Sequence, residues 1–184
     1  MGLKSLVRNM KLRWRSKKTA QSVFSLTASL QSPRRIIILL PADTAEQTHA
    51  AHLLKELYEL YTDSTFCLVG NIELEQDSST LKGSTKRLVP GLSELTWSGL
   101  PRREFVEKVK TCQGDMLIDL ATGKNCFNAY IAASTEVPVR IGNFGNWGPP
   151  IYNLEIKTNY LQSDQLILKS IMDVLKSFKA GIIN

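Results

Sequence analysis

Acidic residues are missing from the first 40 positions of this chain, which carry nine cations: Lys4, Arg8, Lys11, Arg13, Arg15, Lys17, Lys18, Arg34 and Arg35. The remaining 14 basic and 17 acidic residues give positions 41–184 a net charge of −3. A body without its own basic face is not expected to bind nucleic acid, so any affinity for polyanions belongs to the leader. Long apolar runs are also missing. None exceeds five residues, the length of the stretch from Ile36 to Leu40, far short of the roughly 20 residues a membrane-spanning helix needs. Cysteine is scarce and scattered: Cys67, Cys112 and Cys126 form no CxxC pair, which argues against a disulfide framework or a zinc site and fits a reducing cytoplasm. Histidine is scarcer still. His49 and His52 stand three apart with no third ligand nearby, too few for a metal centre. No GxGxxG loop, P-loop or GxSxG elbow occurs, so NAD or FAD binding, P-loop nucleotide chemistry and Ser-His-Asp hydrolysis lack their local signatures. No cofactor is implied.

What is present reads as one α/β domain. At 184 residues, with 43% hydrophobic and 22% charged side chains, the chain suits a single domain with a sizeable core. We divide it into a basic leader over 1–33 and a folded body over 34–184. In the body, strand and helix patterns alternate. Strands are expected over 35–40, 65–69, 116–120, 137–141 and 152–156, with short ones over 86–89 and 95–97. Helices are expected over 44–61, from Pro101 to 111, over 125–134 with Phe127, Tyr130 and Ile131 inward, and over 163–179 with Ile167, Leu168, Ile171, Val174, Leu175 and Phe178 inward. Residues 73–84 read as a polar surface loop. Apolar strands separated by helices predict crossover connections, hence a doubly wound, mainly parallel, Rossmann-like sheet of about six strands.

Such sheets bind ligands beyond the carboxyl ends of their strands. The candidate positions are therefore 41–45, Asn71, 121–125 and 142–148. Asp43 follows the first strand, where a carboxylate can serve as a general base. The spacing from Asp43 to Glu46 is also that of a capping box. Asp119 ends the strand expected over 116–120, with Thr122, Lys124 and Asn125 just after it, a polar cluster suited either to a sugar or phosphate or to bracing the turn. Arg140, inside an apolar strand, needs a partner: either Asp119 on the neighbouring strand or an anionic ligand. Residues 142–150 hold Asn143, Phe144 and Trp147 and read as a sugar-stacking loop or as a rigid lid over the sheet end.

In the leader, Leu3, Leu6, Val7, Met10 and Trp14 follow one helical face with cations on the others. Two readings stand: a solvated or loosely docked extension, and a basic amphipathic helix within residues 1–20 lying on an anionic membrane surface.

Several short motifs resemble glycosyltransferase family 9, the heptosyltransferases of lipopolysaccharide synthesis. A buried strand, a short turn with Asp43, a long helix and a strand ending Leu68-Val69-Gly70 resemble the family's opening. Asp115-Met116-Leu117-Ile118-Asp119-Leu120 resembles its "D-hydrophobic-IDL" strand, and Val139-Arg140-Ile141-Gly142 its "VRIG" strand. The same stretch, with Trp97-Ser98-Gly99 and Tyr152-Asn153-Leu154-Glu155-Ile156, also resembles short bacterial proteins of similar length. The resemblance covers roughly residues 34–160, and it is to one half of a GT-B glycosyltransferase, the half that binds the acceptor. The resemblance implies a cytoplasmic protein, peripheral to the inner membrane if the leader binds lipid, that takes a carbohydrate or phosphorylated ligand through Thr44, Asp119, Thr122, Lys124, Asn125, Arg140, Asn143 and Trp147. Asp43 falls where the family's base would be, although Ala42 replaces the family's Gly and a polar stretch over 44–47 replaces its apolar segment. It further implies incomplete transferase activity unless a partner protein supplies the donor-binding half. The alternative reading is a non-enzymatic adaptor held at a membrane surface by its leader.

Overall fold

A computed structural model describes residues 3–16, 26–70, 85–158 and 163–181. Six strands form one sheet in the order β3-β2-β1-β4-β5-β6, every neighbouring pair parallel. They are β1 (Arg35–Leu39), β2 (Thr65–Val69), β3 (Thr85–Leu88), β4 (Met116–Asp119), β5 (Val139–Asn143) and β6 (Leu154–Ile156). This is the strand order of the dinucleotide-binding Rossmann sheet, whose direction of winding reverses between β1 and β4. The Rossmann-like α/β class read from the alternating pattern is the observed one.

Helices cover both faces, which is why the central strands are apolar throughout rather than alternating. Ile36 and Ile38 point to one face and meet α2 (Leu26–Gln31), α3 (Thr44–Leu60) and α6 (Asp164–Lys179) through Leu30, Leu53, Leu57, Leu168 and Leu175. Ile37 and Leu39 point to the other and meet α1 (Leu3–Ser16), α4 (Arg103–Lys110) and α5 (Cys126–Ser134) through Leu12, Phe105, Val109, Ala129 and Ala132. Among the described residues, no helix is long and apolar enough to cross a membrane.

Several local expectations are corrected. Residues 95–97 form no strand: Leu92–Glu94 is a 3-10 turn, and Leu95 makes an isolated antiparallel bridge with Pro101. Thr96 closes this loop on itself. Its backbone amide donates to the carbonyl of Leu100 at 2.8 Å, and its hydroxyl accepts from the Leu100 amide at 3.1 Å. Pro101 is held in that bridge, so α4 starts at Arg103. The fifth strand starts at Val139 because Pro138 has no amide to donate to a ladder. The sixth starts at Leu154, with Tyr152 buried ahead of it. On α5, Phe127 and Tyr130 are only half-buried, and the small residues Ala129, Ala132 and Ala133 fill the inner face. On α6, Met172 is buried and Val174 half-buried. The loop expected over 73–84 and position Asn71 lie outside the described residues. Helix α2 answers to no expectation, since six residues carry too little periodicity to be read.

The leader packs on the body. Leu12 is 2% exposed among the core of the second face, and Arg15 Nε donates to Ser134 Oγ on α5 at 3.0 Å.

Candidate functional site

The loops after β1 and β4 flank the reversal point, and an open cleft of about 460 Å³ lies between them. Asp43, Ala42 and Glu46 line it from the β1–α3 side; Ala121, Gly123, Lys124, Asn125 and Phe127 line it from the β4–α5 side. Arg8 from α1 and Gly99 complete the wall.

Two helices begin at this cleft, each with its own cap. Asp43 Oδ1 accepts from the amides of Ala45 at 2.9 Å and Glu46 at 3.3 Å. Asn125 Oδ1 accepts from Phe127 at 3.0 Å and Asn128 at 3.1 Å. The partial positive charge of both helix N-termini therefore faces the cleft, while the caps already hold four of the first-turn amides. A ligand anion meets side chains first. Two cations are placed for it. Lys124 Nζ stands 5.7 Å from the centroid of the Trp147 ring, and Arg8 has its Nε enclosed without a hydrogen-bond partner.

The reciprocal half of the capping box is not formed. Glu46 Oε1 accepts instead from Thr122 Oγ1 at 2.8 Å, and the same hydroxyl lies 2.7 Å from Asp164 Oδ1 at the start of α6. Thr122 thus ties the β4–α5 loop to two helices of the opposite face rather than standing free.

Beneath the cleft, Asp119 is buried and fully engaged. It accepts from the Ala121 amide at 3.0 Å, from Asn128 Nδ2 at 2.7 Å and from the hydroxyl of Tyr152. Burial pushes its carboxyl up to about 6, against the pull of those three donors, and the nearby Glu46 raises it further. Asn143 Nδ2 donates to the Ala121 carbonyl at 2.8 Å, and Asn146 Nδ2 to the Gly123 carbonyl at 3.2 Å. These groups position the loop; they do not face the cleft. Trp147 packs against the core of the second face, whereas Phe144 is exposed with Lys157 Nζ 5.5 Å from its ring centroid. The two aromatics do not form one stacking platform.

Arg140 does not pair with Asp119. Its guanidinium is buried and donates to the carbonyls of Ile151 at 2.8 Å, Val137 at 2.5 Å and Pro150 at 3.1 Å. These carbonyls belong to segments that enter β5 and β6, at the opposite edge of the sheet from the cleft. Thr44 lies on the exposed first turn of α3.

Of the expected site residues, the fold brings together Asp43, Lys124 and Asn125 on the cleft, with Thr122 beside it and Asp119, Asn143 and Trp147 behind. Arg8 was missed. Its only signal was the helical spacing that puts it on the same side of α1 as Leu12 and Arg15. Among the described residues, no group of three His, Cys, Asp or Glu side chains is arranged to hold a metal ion; His49 and His52 instead line a groove between α3 and α6.

No family model, curated protein or solved structure matches this chain.

Proposed function

We propose that this chain is a single-domain relative of the acceptor-binding half of a GT-B glycosyltransferase, and that it binds a phosphorylated carbohydrate in the cleft between the β1–α3 and β4–α5 loops. The supporting observation is the meeting of Arg8 and Lys124 with the N-termini of α3 and α5 at the point where the strand order reverses. Cations and helix dipoles of one sign favour an anionic group there. The carboxylates of Asp43 and Glu46 offer acceptors for sugar hydroxyls beside it.

Asp43 spends one oxygen on its cap, so the other is the one available to take a proton from an acceptor hydroxyl. Transfer also needs an activated donor opposite that hydroxyl. The described residues hold one sheet, so in this reading the donor-binding half lies outside them.

The test is calorimetric titration of the chain with sugar phosphates, nucleotide sugars and neutral glycans. Sugar phosphates should bind to the wild type, Lys124→Ala and Arg8→Ala should weaken that binding about tenfold each, and Asp43→Ala should weaken neutral-glycan binding. Equal, negligible binding by wild type and variants would remove the site. Glycosyl transfer by the purified chain alone, from a nucleotide donor, would remove the half-site reading while leaving the cleft.

A further inference from the structure

Among its described side chains, helix α1 meets the body through the face that carries Leu12. At 100° per residue, Arg8, Leu12 and Arg15 share a side. Leu12 is buried, Arg15 bonds Ser134 and Arg8 lines the cleft. Positions 3, 6, 7, 10 and 14 occupy an arc of about 100° centred about 170° away from Leu12, and all five are apolar: Leu3, Leu6, Val7, Met10 and Trp14. The arc that reads in the sequence as the buried face of an amphipathic helix is thus centred opposite the buried Leu12. Met10 is 69% exposed there, and Val7 is half-buried.

We infer that this outward face of α1 docks the protein on an anionic lipid surface. Charge selects the occupant. Lys4 and Lys11 are exposed at one margin of the stripe, position 13 (an Arg) lies at the other, and Lys17 and Lys18 follow. No acid occurs anywhere in residues 1–40. A bilayer with anionic headgroups offers an apolar interior bordered by negative charge in one plane, which is the complement of an apolar arc edged by cations. A second copy of the same face would bring cations against cations. Because the other side of α1 is fixed by Leu12 and Arg15, the stripe is presented as a formed helix, and its ordering is not left for the membrane to drive.

The test is sedimentation of the full chain with vesicles of phosphatidylcholine alone and of phosphatidylcholine mixed with phosphatidylglycerol. Wild type should bind the mixed vesicles and release them as salt is raised. Met10→Glu changes an exposed side chain, so the fold survives, and binding should fall at least about tenfold. The Lys4→Glu, Lys11→Glu double variant should lose at least about 25-fold, at about fivefold per cation. The inference is overturned if wild type binds both vesicles equally or neither. It is equally overturned if Met10→Glu binds like wild type. A wild-type dimer that Met10→Glu dissolves without lipid would make the face a protein interface and overturn it as well.

Discussion

Tyr152 donates its hydroxyl to Oδ2 of Asp119, joining the segment that enters β6 to the carboxyl end of β4. On its other oxygen Asp119 takes Asn128 Nδ2, and that same nitrogen also donates to the carbonyl of Leu40 at the end of β1. One buried carboxyl therefore ties β1, β4, α5 and the approach to β6 together directly under the cleft. Two surfaces of the cleft are the loops that this knot anchors.

The knot should give stability a pH dependence of unusual sign. Asp119 is held up to about 6, from an ordinary 3.8, chiefly by burial. Between those values the folded chain binds the proton more tightly than the unfolded one, so this group's contribution falls as pH rises through that window. Above about 6 the penalty is constant, and below about 4 it is absent. Two units of pKa correspond to roughly 3 kcal/mol. Asp119→Asn cannot ionise. The difference in urea midpoint between Asp119→Asn and wild type should shift in the variant's favour from pH 4 to pH 6.5; a difference independent of pH would contradict the assignment.

Gly142 makes room for the ring of Tyr152. A Cβ at position 142 would stand 2.7 Å from the ring's Cγ and 2.8 Å from Cδ2, and the ring is fully buried with its hydroxyl fixed on Asp119. Gly142→Ala should destabilise the protein by about 1–3 kcal/mol, the usual cost of overpacking, read as a lower urea midpoint. The double variant Gly142→Ala, Tyr152→Leu should cost less than the sum of the single changes. Full additivity would mean the contact is not the cause.

These dependencies divide what could be read in the chain from what could not. The run from Ile36 to Leu39 is apolar on both faces, and only a sheet covered on both sides accommodates that, so β1 and its class of fold were legible. Asp43 and Asn125 were legible as helix starts because capping is local. Arg140 was not. Its three acceptors are carbonyls brought to it by segments up to 11 residues away, and a carbonyl leaves no trace in a side-chain pattern. Glu46 was misassigned for a related reason: local spacing favoured the capping box, while Thr122, 76 residues away, took its carboxylate. Arg8 reaches the cleft only because α1 docks with its less apolar side inward, against the ordinary reading of an amphipathic helix.

The Cys67 thiol beside Cys112 lowers the latter below the ordinary thiol range, against the upward push of burial, and the Lys86 ammonium lowers it further. Cys67 is pushed up by its bond to Cys112 and by its own burial. Cys112 therefore carries more thiolate at neutral pH than an ordinary thiol does. Iodoacetamide should modify Cys112, located by peptide mass spectrometry, with a rate whose pH midpoint lies below the ordinary thiol value. Cys67→Ala should move that midpoint upward toward the ordinary thiol value. An unchanged profile in the variant would separate Cys112's reactivity from its neighbour.

Arg140 offers the sharpest separation of scaffold from site. Its guanidinium holds three backbone carbonyls at the sheet edge opposite the cleft, so Arg140→Leu removes donors that the buried Val137 and Ile151 carbonyls cannot replace from solvent. The expected loss is roughly 2–5 kcal/mol of folding stability. Arg140→Lys should restore only part of it, since one ammonium cannot span acceptors arranged for a planar fork. Measured at low temperature, where each variant is still folded, sugar phosphate binding should equal that of wild type. Binding lost from a variant whose urea midpoint has not moved would put Arg140 at the ligand, and would mean that the cleft reached by Arg8 and Lys124 is not where the anion sits.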